Sequence, residues 1–298
     1  MAAAVAAPSG PWSEAQSGQV GGAPSAAESS VPEFSVMIWT LNKFGAFDQN
    51  LERVAQAGYK HVELVGEFNK WSDADAARYM AKMKSLGVTV DTTSGMGAPF
   101  CDPAGTDNFL AKLKEFLPKV QRIECKRIIL LSGKRIDSAG EGVQQKASID
   151  TLKRAVDMLE AAGVTLVIEP IDRLENPPIF LDSVTEGFEI ARAVGSPNVK
   201  VLYDFYHEQR TKGNLIEKLE KGFDEVGLVH IADVPGRHEP GTGEVNFQNI
   251  YRKLGQLKYK GVIAMEFYPS GDIVETLRRA REEALRCYVE GTHTGLLV

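Results

Sequence analysis

From Phe34 onward, short β-rich apolar runs alternate with segments whose apolar positions recur at helical spacing, and the alternation repeats eight times. The predicted strands are FSVMIW (34–39), HVELV (61–65), VTVDTT (88–93), RIILLS (127–132), TLVIEP (165–170), VKVLYDF (199–205), GLVHIAD (227–233) and VIAMEFY (262–268). Between them, DQNLERVAQAG, DADAARYMAKMKSLG, TDNFLAKLKEFLPKVQRIE, SIDTLKRAVDMLEAAG and DSVTEGFEIARAVG read as amphipathic helices, several ending in Gly as helix C-termini do. A segment rich in charges of both signs, 272–290, reads as the closing helix. IILL, TLVI, LVHI and VIAM are continuous apolar runs, as expected of parallel strands covered on both faces. The pattern predicts an α/β protein built as a closed (β/α)8 TIM barrel. An open doubly wound sheet would carry a Gly-rich phosphate loop after its first strand, and TLNKFGAFD supplies none.

The strand ends carry the chemistry. TLVI runs into Glu169, VKVLY into Asp204, GLV into His230 and VIAM into Glu266, so four consecutive strands finish in a metal ligand or proton carrier. In a barrel, strand C-termini converge on one mouth, which makes neighbours of residues distant in sequence. Three carboxylates and an imidazole form a mainly oxygen site suited to Mn2+ or Mg2+, with Co2+ or Zn2+ as further fits. Without a cation, crowded carboxylates raise one another's pKa and at least one stays protonated. Each residue alone also has a plainer reading, as a helix cap, a surface ion pair or a hydrogen-bonded core histidine. Joint occurrence at corresponding positions of consecutive units is what favours a shared site. His207 in DFYH, Glu175 in EPIDRLE and Arg237 in the loop after His230 are further candidates; Arg173 and Arg237 read equally well as solvated charges. The GTG of EPGTGEV gives that loop conformational freedom to fold over the mouth, a freedom that a plain turn also needs.

Composition narrows the partners. A formal net charge of -6 argues against nucleic acid, whose phosphates demand clustered Lys and Arg. No run of ~18 apolar residues exists, so no membrane span is expected. Three cysteines, far apart and without CxxC spacing, make neither a disulfide framework nor a cysteine zinc site. Residues 1–33 are rich in Ala, Ser, Gly and Pro and read as a disordered tail ahead of a barrel over 34–298. AAAVAAPSG is compatible with the remnant of a trimmed export signal, which leaves a cytoplasmic or periplasmic location open.

Taken together, IEPIDRLEN, YDFYH, HIADVPGRHEPGTGEVNF and MEFYP resemble the hydroxypyruvate isomerase group of the xylose isomerase-like barrel superfamily, which also holds ketose 3-epimerases. The resemblance spans about residues 34–290 in architecture, but its specific motifs lie in the second half. It implies that Glu169, Asp204, His230 and Glu266 hold a divalent metal, and that Glu169 and Glu266 act as the acid/base pair. It further implies that Glu175, His207 and Arg237 contact the substrate, with Arg237 meeting a substrate carboxylate. Hydroxypyruvate to tartronate semialdehyde is the leading reaction, and C3 epimerisation of a free ketose is its rival. VGEFNKW and DTTSGMGAPFCDP, after the second and third strands, do not match the better known hydroxypyruvate isomerases. Barrels of this group commonly self-associate, so a homo-oligomer is a further expectation. The endonuclease IV type of the same superfamily would need several zinc ions and many histidines, against five here. A barrel that binds sugar or metal without turnover is the third reading.

Overall fold

The computed structural model describes residues 31–140 and 142–294; the tail predicted for 1–33 lies almost entirely outside the described residues. Eight parallel strands close in sequence order: β1 (Glu33–Met37), β2 (His61–Val65), β3 (Thr89–Ser94), β4 (Arg127–Leu131), β5 (Thr165–Glu169), β6 (Val199–Asp204), β7 (Val226–Ile231) and β8 (Val262–Met265). The helices packed around them are α1 (Phe47–Gln56), α2 (Asp73–Leu86), α3 (Thr106–Arg122), α4 (Val143–Ala162), α5 (Val184–Val194), α6 (Phe205–Thr211), α7 (Leu215–Gly222), α8 (Phe247–Gln256) and α9 (Ile273–Thr294). This is the (β/α)8 TIM barrel that the repeat of apolar runs predicts. Left-handed glycines cap α2, α4 and α5 at Gly87, Gly163 and Gly195, as their sequence endings anticipate.

Most strand ends differ from the sequence reading by no more than a few residues, and at β1 and β8 the local reason is visible. β1 starts one residue early, because Glu33 pairs with Val262 and so belongs to the barrel rather than to the tail. It also stops at Met37, where the chain turns into a 3-10 helix (Ile38–Phe44) held by the Thr40 hydroxyl donating to the Met37 carbonyl at 2.8 Å. β8 ends at Met265, so Glu266 lies just past the strand; its N–H still donates to the Ile231 carbonyl at 3.0 Å, which keeps it beside β7.

Two apolar clusters follow from the alternation of side chains along each strand. The larger lies between strands and helices, with Leu166, Ile168, Val201, Val229 and Ile263 facing outward beneath the helical layer. The smaller fills the barrel interior with Met37, Ile129, Val167, Leu202, Leu228 and Val262. Two residues further along β5, β6 and β7 stand Glu169, Asp204 and His230. Period-two alternation therefore carries them on the interior face, one layer above the apolar plug, at the C-terminal mouth.

Candidate metal and proton-transfer site

Glu169, Asp204, His230 and Glu266 meet as expected. All four are buried, and each offers a ligand atom within 4.8 Å of the others. An octahedral ion with bonds of about 2.1 Å spans roughly 4.2 Å between opposite ligands, so the four reach one small cation with little adjustment. Asp204 divides its labour. One carboxylate oxygen caps α6, accepting the N–H groups of Tyr206 (2.7 Å) and His207 (3.3 Å). Its other oxygen, Oδ2, is buried and has no hydrogen-bond donor. The cap reading of this residue is thus met by one oxygen, and the other stays available for the ligand role. A carboxylate oxygen that His207 and Arg237 approach only to 3.5 and 3.7 Å, without a hydrogen bond, in an all-hard donor set is what a divalent cation fits.

His230 is held from both sides: Nδ1 lies 2.8 Å from Glu266 Oε2, and Nε2 lies 2.8 Å from Oε2 of Glu63 on β2. The Glu63 contact is an ion-pair approach rather than a well-aligned hydrogen bond, and Glu63 is fully buried. Glu63 was missed from sequence. Trp39, also missed, donates its indole N–H to Glu266 Oε1 at 3.1 Å.

A second group adjoins the first. Asp172, within the quoted EPIDRLE motif but not singled out, accepts from the Leu174 and Glu175 N–H groups with Oδ1 and sits 2.7 Å from His207 Nδ1 with Oδ2. This aims His207 Nε2 inward, 3.5 Å from Asp204 Oδ2 and 3.9 Å from Glu169 Oε1. Arg237 is buried with a left-handed backbone (φ 56°) and is fully engaged. Nη1 reaches both Glu175 oxygens at 2.9 and 3.0 Å, and Nη2 lies 2.8 Å from Glu266 Oε2. The solvated-charge reading of Arg237 is therefore excluded, whereas Arg173 makes a half-exposed ion pair with Asp182. Arg210, another missed residue, bridges Asp172, Glu175 and the Tyr206 hydroxyl.

The loop carrying Arg237 is organised by Asp233, whose Oδ2 accepts from Gly241 and Gly243 (both 2.9 Å) and whose Oδ1 accepts from Val245 (3.1 Å). Gly243 is required by close approach, since a Cβ there would lie 2.0 Å from the Val234 carbonyl. The GTG glycines thus fit the loop tightly around one carboxylate.

Electrostatics separates the two glutamates. Burial, and then the charge of Glu266, pushes the Glu169 carboxyl up to about 8. Burial opposes ionisation of Glu266 as well, but Arg237 and His230 outweigh it and hold that carboxyl well below the usual range. Burial also works against a charged His207, yet Asp204 and Asp172 bring it up to about 9.

With the barrel and its mouth in view, similarity to known proteins can be placed. The family model described as "Xylose isomerase-like TIM barrel" matches residues 51–287. The chain is 27% identical over 234 residues to the hydroxypyruvate isomerase of Escherichia coli K12, covering 76% of this chain and 90% of that protein. It is 28% identical over 247 residues to a 2-oxo-tetronate isomerase of Cupriavidus necator, covering 80% and 94%. Among solved structures, a family 2 AP endonuclease from Brucella melitensis superposes with TM-score 0.75 at 24% identity, over 83% of this chain and 97% of that one. A D-psicose 3-epimerase from Clostridium cellulolyticum H10 does so with TM-score 0.68 at 19% identity, over 89% and 99%. These two likenesses carry the fold. The chain belongs to the xylose isomerase-like TIM barrel family, and it is an isomerase.

Proposed function

We propose that the protein is a metal-dependent isomerase that moves a proton between carbons adjacent to a carbonyl, acting on hydroxypyruvate or a similar small 2-oxo or hydroxy acid. The single observation that carries this reading is the pair Glu169 and Glu266, buried in one site with proton affinities driven apart. Two carboxyls so separated are suited to opposite roles, one accepting and one delivering a proton near neutral pH. The relatives named for hydroxypyruvate and 2-oxo-tetronate support the substrate class.

Glu169, Asp204, His230 and Glu266 would hold the cation, with Mn2+ or Mg2+ favoured by the oxygen-rich donor set. When bound, it supplies positive charge against the oxygen that becomes anionic as the C–H proton leaves. Glu266, kept ionised by Arg237 and His230, removes a proton from the hydroxymethyl carbon of hydroxypyruvate, and the electron pair forms an enediolate across the two carbons. Glu169 delivers a proton to the former carbonyl carbon. His207, which Asp172 orients, passes the hydroxyl proton between the two oxygens, leaving an aldehyde on one carbon and a hydroxyl on the next. Trp39 and Arg237 hold Glu266 in place and exclude water from it.

One observation favours the ketose epimerase as a second reading. Arg237 is bound through both of its terminal nitrogens to Glu175 and Glu266, so a substrate carboxylate must first displace Glu175 to gain that guanidinium. A substrate presenting hydroxyls would use the Glu175–Arg237 pair as it stands.

The test is solvent exchange. Protein incubated in D2O with hydroxypyruvate or with a panel of ketoses, with and without Mn2+, is followed by NMR for deuterium entering carbon. Exchange at the hydroxymethyl carbon of hydroxypyruvate, lost in both Glu169→Gln and Glu266→Gln, is the expected result. Exchange confined to C3 of ketoses selects the epimerase, and exchange surviving in both variants ends the acid/base assignment.

A further inference from the structure

The mouth is chemically two-sided. On β5 to β8 its rim is Glu169, Asp204, His230 and Glu266, but on β2 and β4 the corresponding interior-facing positions are Val65 and Leu131. Leu131 pairs in register with Glu169, so the two side chains leave adjacent strands on the same face. Val65 stands two residues beyond Glu63, whose carboxylate reaches His230 across the barrel, and so it also faces inward. These two apolar residues are 41% and 43% exposed, whereas the apolar residues of the interior layer beneath them are dry. Above them opens a cavity of about 670 Å³, whose apolar wall includes Val65, Leu131, Ile136 and Ile179 and whose polar positions include Asp102, Lys134 and Asn176.

The cavity walls are fixed to one another rather than loose. The Phe100 and Cys101 N–H groups donate to the Ser132 carbonyl at 3.1 and 3.0 Å, Phe180 N–H to the Gly133 carbonyl at 2.9 Å, and Arg135 N–H to the Pro178 carbonyl at 2.7 Å. Gly133 adopts φ +103°, and a Cβ there would come within 2.4 Å of Pro99. Such a preformed, mainly apolar recess of several hundred Å³ with few polar groups is what binds a small organic group. It adjoins the charged site, because Leu131 pairs with Glu169 across β4 and β5 and Asn176 follows Glu175 in the chain.

We propose that this recess is a subsite for an apolar substituent of the substrate, so that the preferred substrate is a 2-oxo or 2-hydroxy compound bearing an alkyl or aryl group. The isomerase reading enters only in placing the reacting end against Glu169 and Glu266. The three-carbon acid leaves the recess empty, and a polyhydroxylated tail would lose water there against few partners. An apolar tail gains affinity by covering Val65, Leu131, Ile136 and Ile179.

The test uses the full chain with Mn2+ and a calorimetric series of pyruvate, 2-oxobutanoate, 2-oxohexanoate and 2-oxo-4-phenylbutanoate. Affinity is expected to rise about fourfold per buried methylene, with an increasingly negative heat-capacity change. Leu131→Asn and, as a second variant, Ile136→Asn are each expected to flatten that rise; circular dichroism confirms folding. A flat series in the unaltered protein, binding by no member, or a slope that both variants leave intact overturns the subsite. So does a flat series together with a dimer that Leu131→Asn dissociates, which assigns the recess to a second copy of the chain. The D2O exchange with hydroxypyruvate, run on the same preparation, separates the two readings. A steep binding series without exchange removes the isomerase and keeps the subsite, and exchange with a flat series does the reverse.

Discussion

Glu63 offers the sharpest test of how the cation site is built. If His230 lends Nδ1 to a metal, its proton must reside on Nε2, and Glu63 Oε2, 2.8 Å away, is the group that holds it there. Replacing Glu63 with Gln keeps the shape and removes the charge. Loss of a carboxylate behind a ligating histidine weakens metal binding roughly 10–100-fold, which is about 1.4–2.7 kcal/mol. The metal-free protein behaves differently, because Glu63 is wholly buried and desolvation already raises its carboxyl against the pull of His230. Trading that carboxylate for an amide relieves burial of charge, so the thermal midpoint in chelator is expected to hold or rise. Glu63→Ala removes the partner and the volume together, and should lower the midpoint as well. The assay is Mn2+ affinity by calorimetry or chelator competition beside a melting curve in chelator. Mn2+ binding by Glu63→Gln within twofold of the unaltered protein would refute the tautomer argument. A midpoint falling in parallel with affinity would reduce Glu63 to a structural residue.

Further outcomes follow from the same geometry. In chelator, His207, raised to about 9, contributes stability that is full below its unfolded value of 6.5 and lost as pH climbs through 9. Glu169, raised to about 8, keeps a proton that the unfolded chain has released, so its effect also declines with pH between 4.5 and 8. The chelated protein should therefore melt several degrees lower at pH 9 than at pH 6.5, and Mn2+ should reverse the trend by displacing protons; a midpoint rising with pH in chelator contradicts this. Asp172→Asn frees His207 to rotate and is expected to cost roughly tenfold or more in kcat and to move the basic limb of the pH–rate profile downward; an unmoved profile would show that Asp172 does not act through His207. Gly243→Ala drives a Cβ against the Val234 carbonyl and should destabilise by about 1–3 kcal/mol, read as a lower melting temperature with weakened activity, whereas Thr242→Ala beside it leaves both near their starting values.

What the sequence disclosed and what it hid have one physical cause. Glu169, Asp204 and His230 were legible because each ends an apolar run at the same place in successive units, and the closed barrel turns that repetition into proximity. Glu266 was legible for the same reason even though its strand stops one residue earlier, since a hydrogen bond to Ile231 holds it in line. Glu63 was not, because it sits inside HVELV rather than at its end. A carboxylate flanked by apolar neighbours on an inward-facing position is a signal, but its meaning depends on a histidine brought across the barrel by closure. Asp172 and Arg210 touch other side chains of the site, His207, Glu175 and Tyr206 among them, and no spacing announces such a partner. Val65 and Leu131 are a different case: as valine and leucine at strand ends they look like ordinary core, and only their exposure at the mouth, Leu131 beside Glu169, makes them an open apolar surface. The charged half of the mouth, which fits a common proton-transfer chemistry, is thus written in residue type, while the apolar half, where the proposed subsite lies, is written in shape.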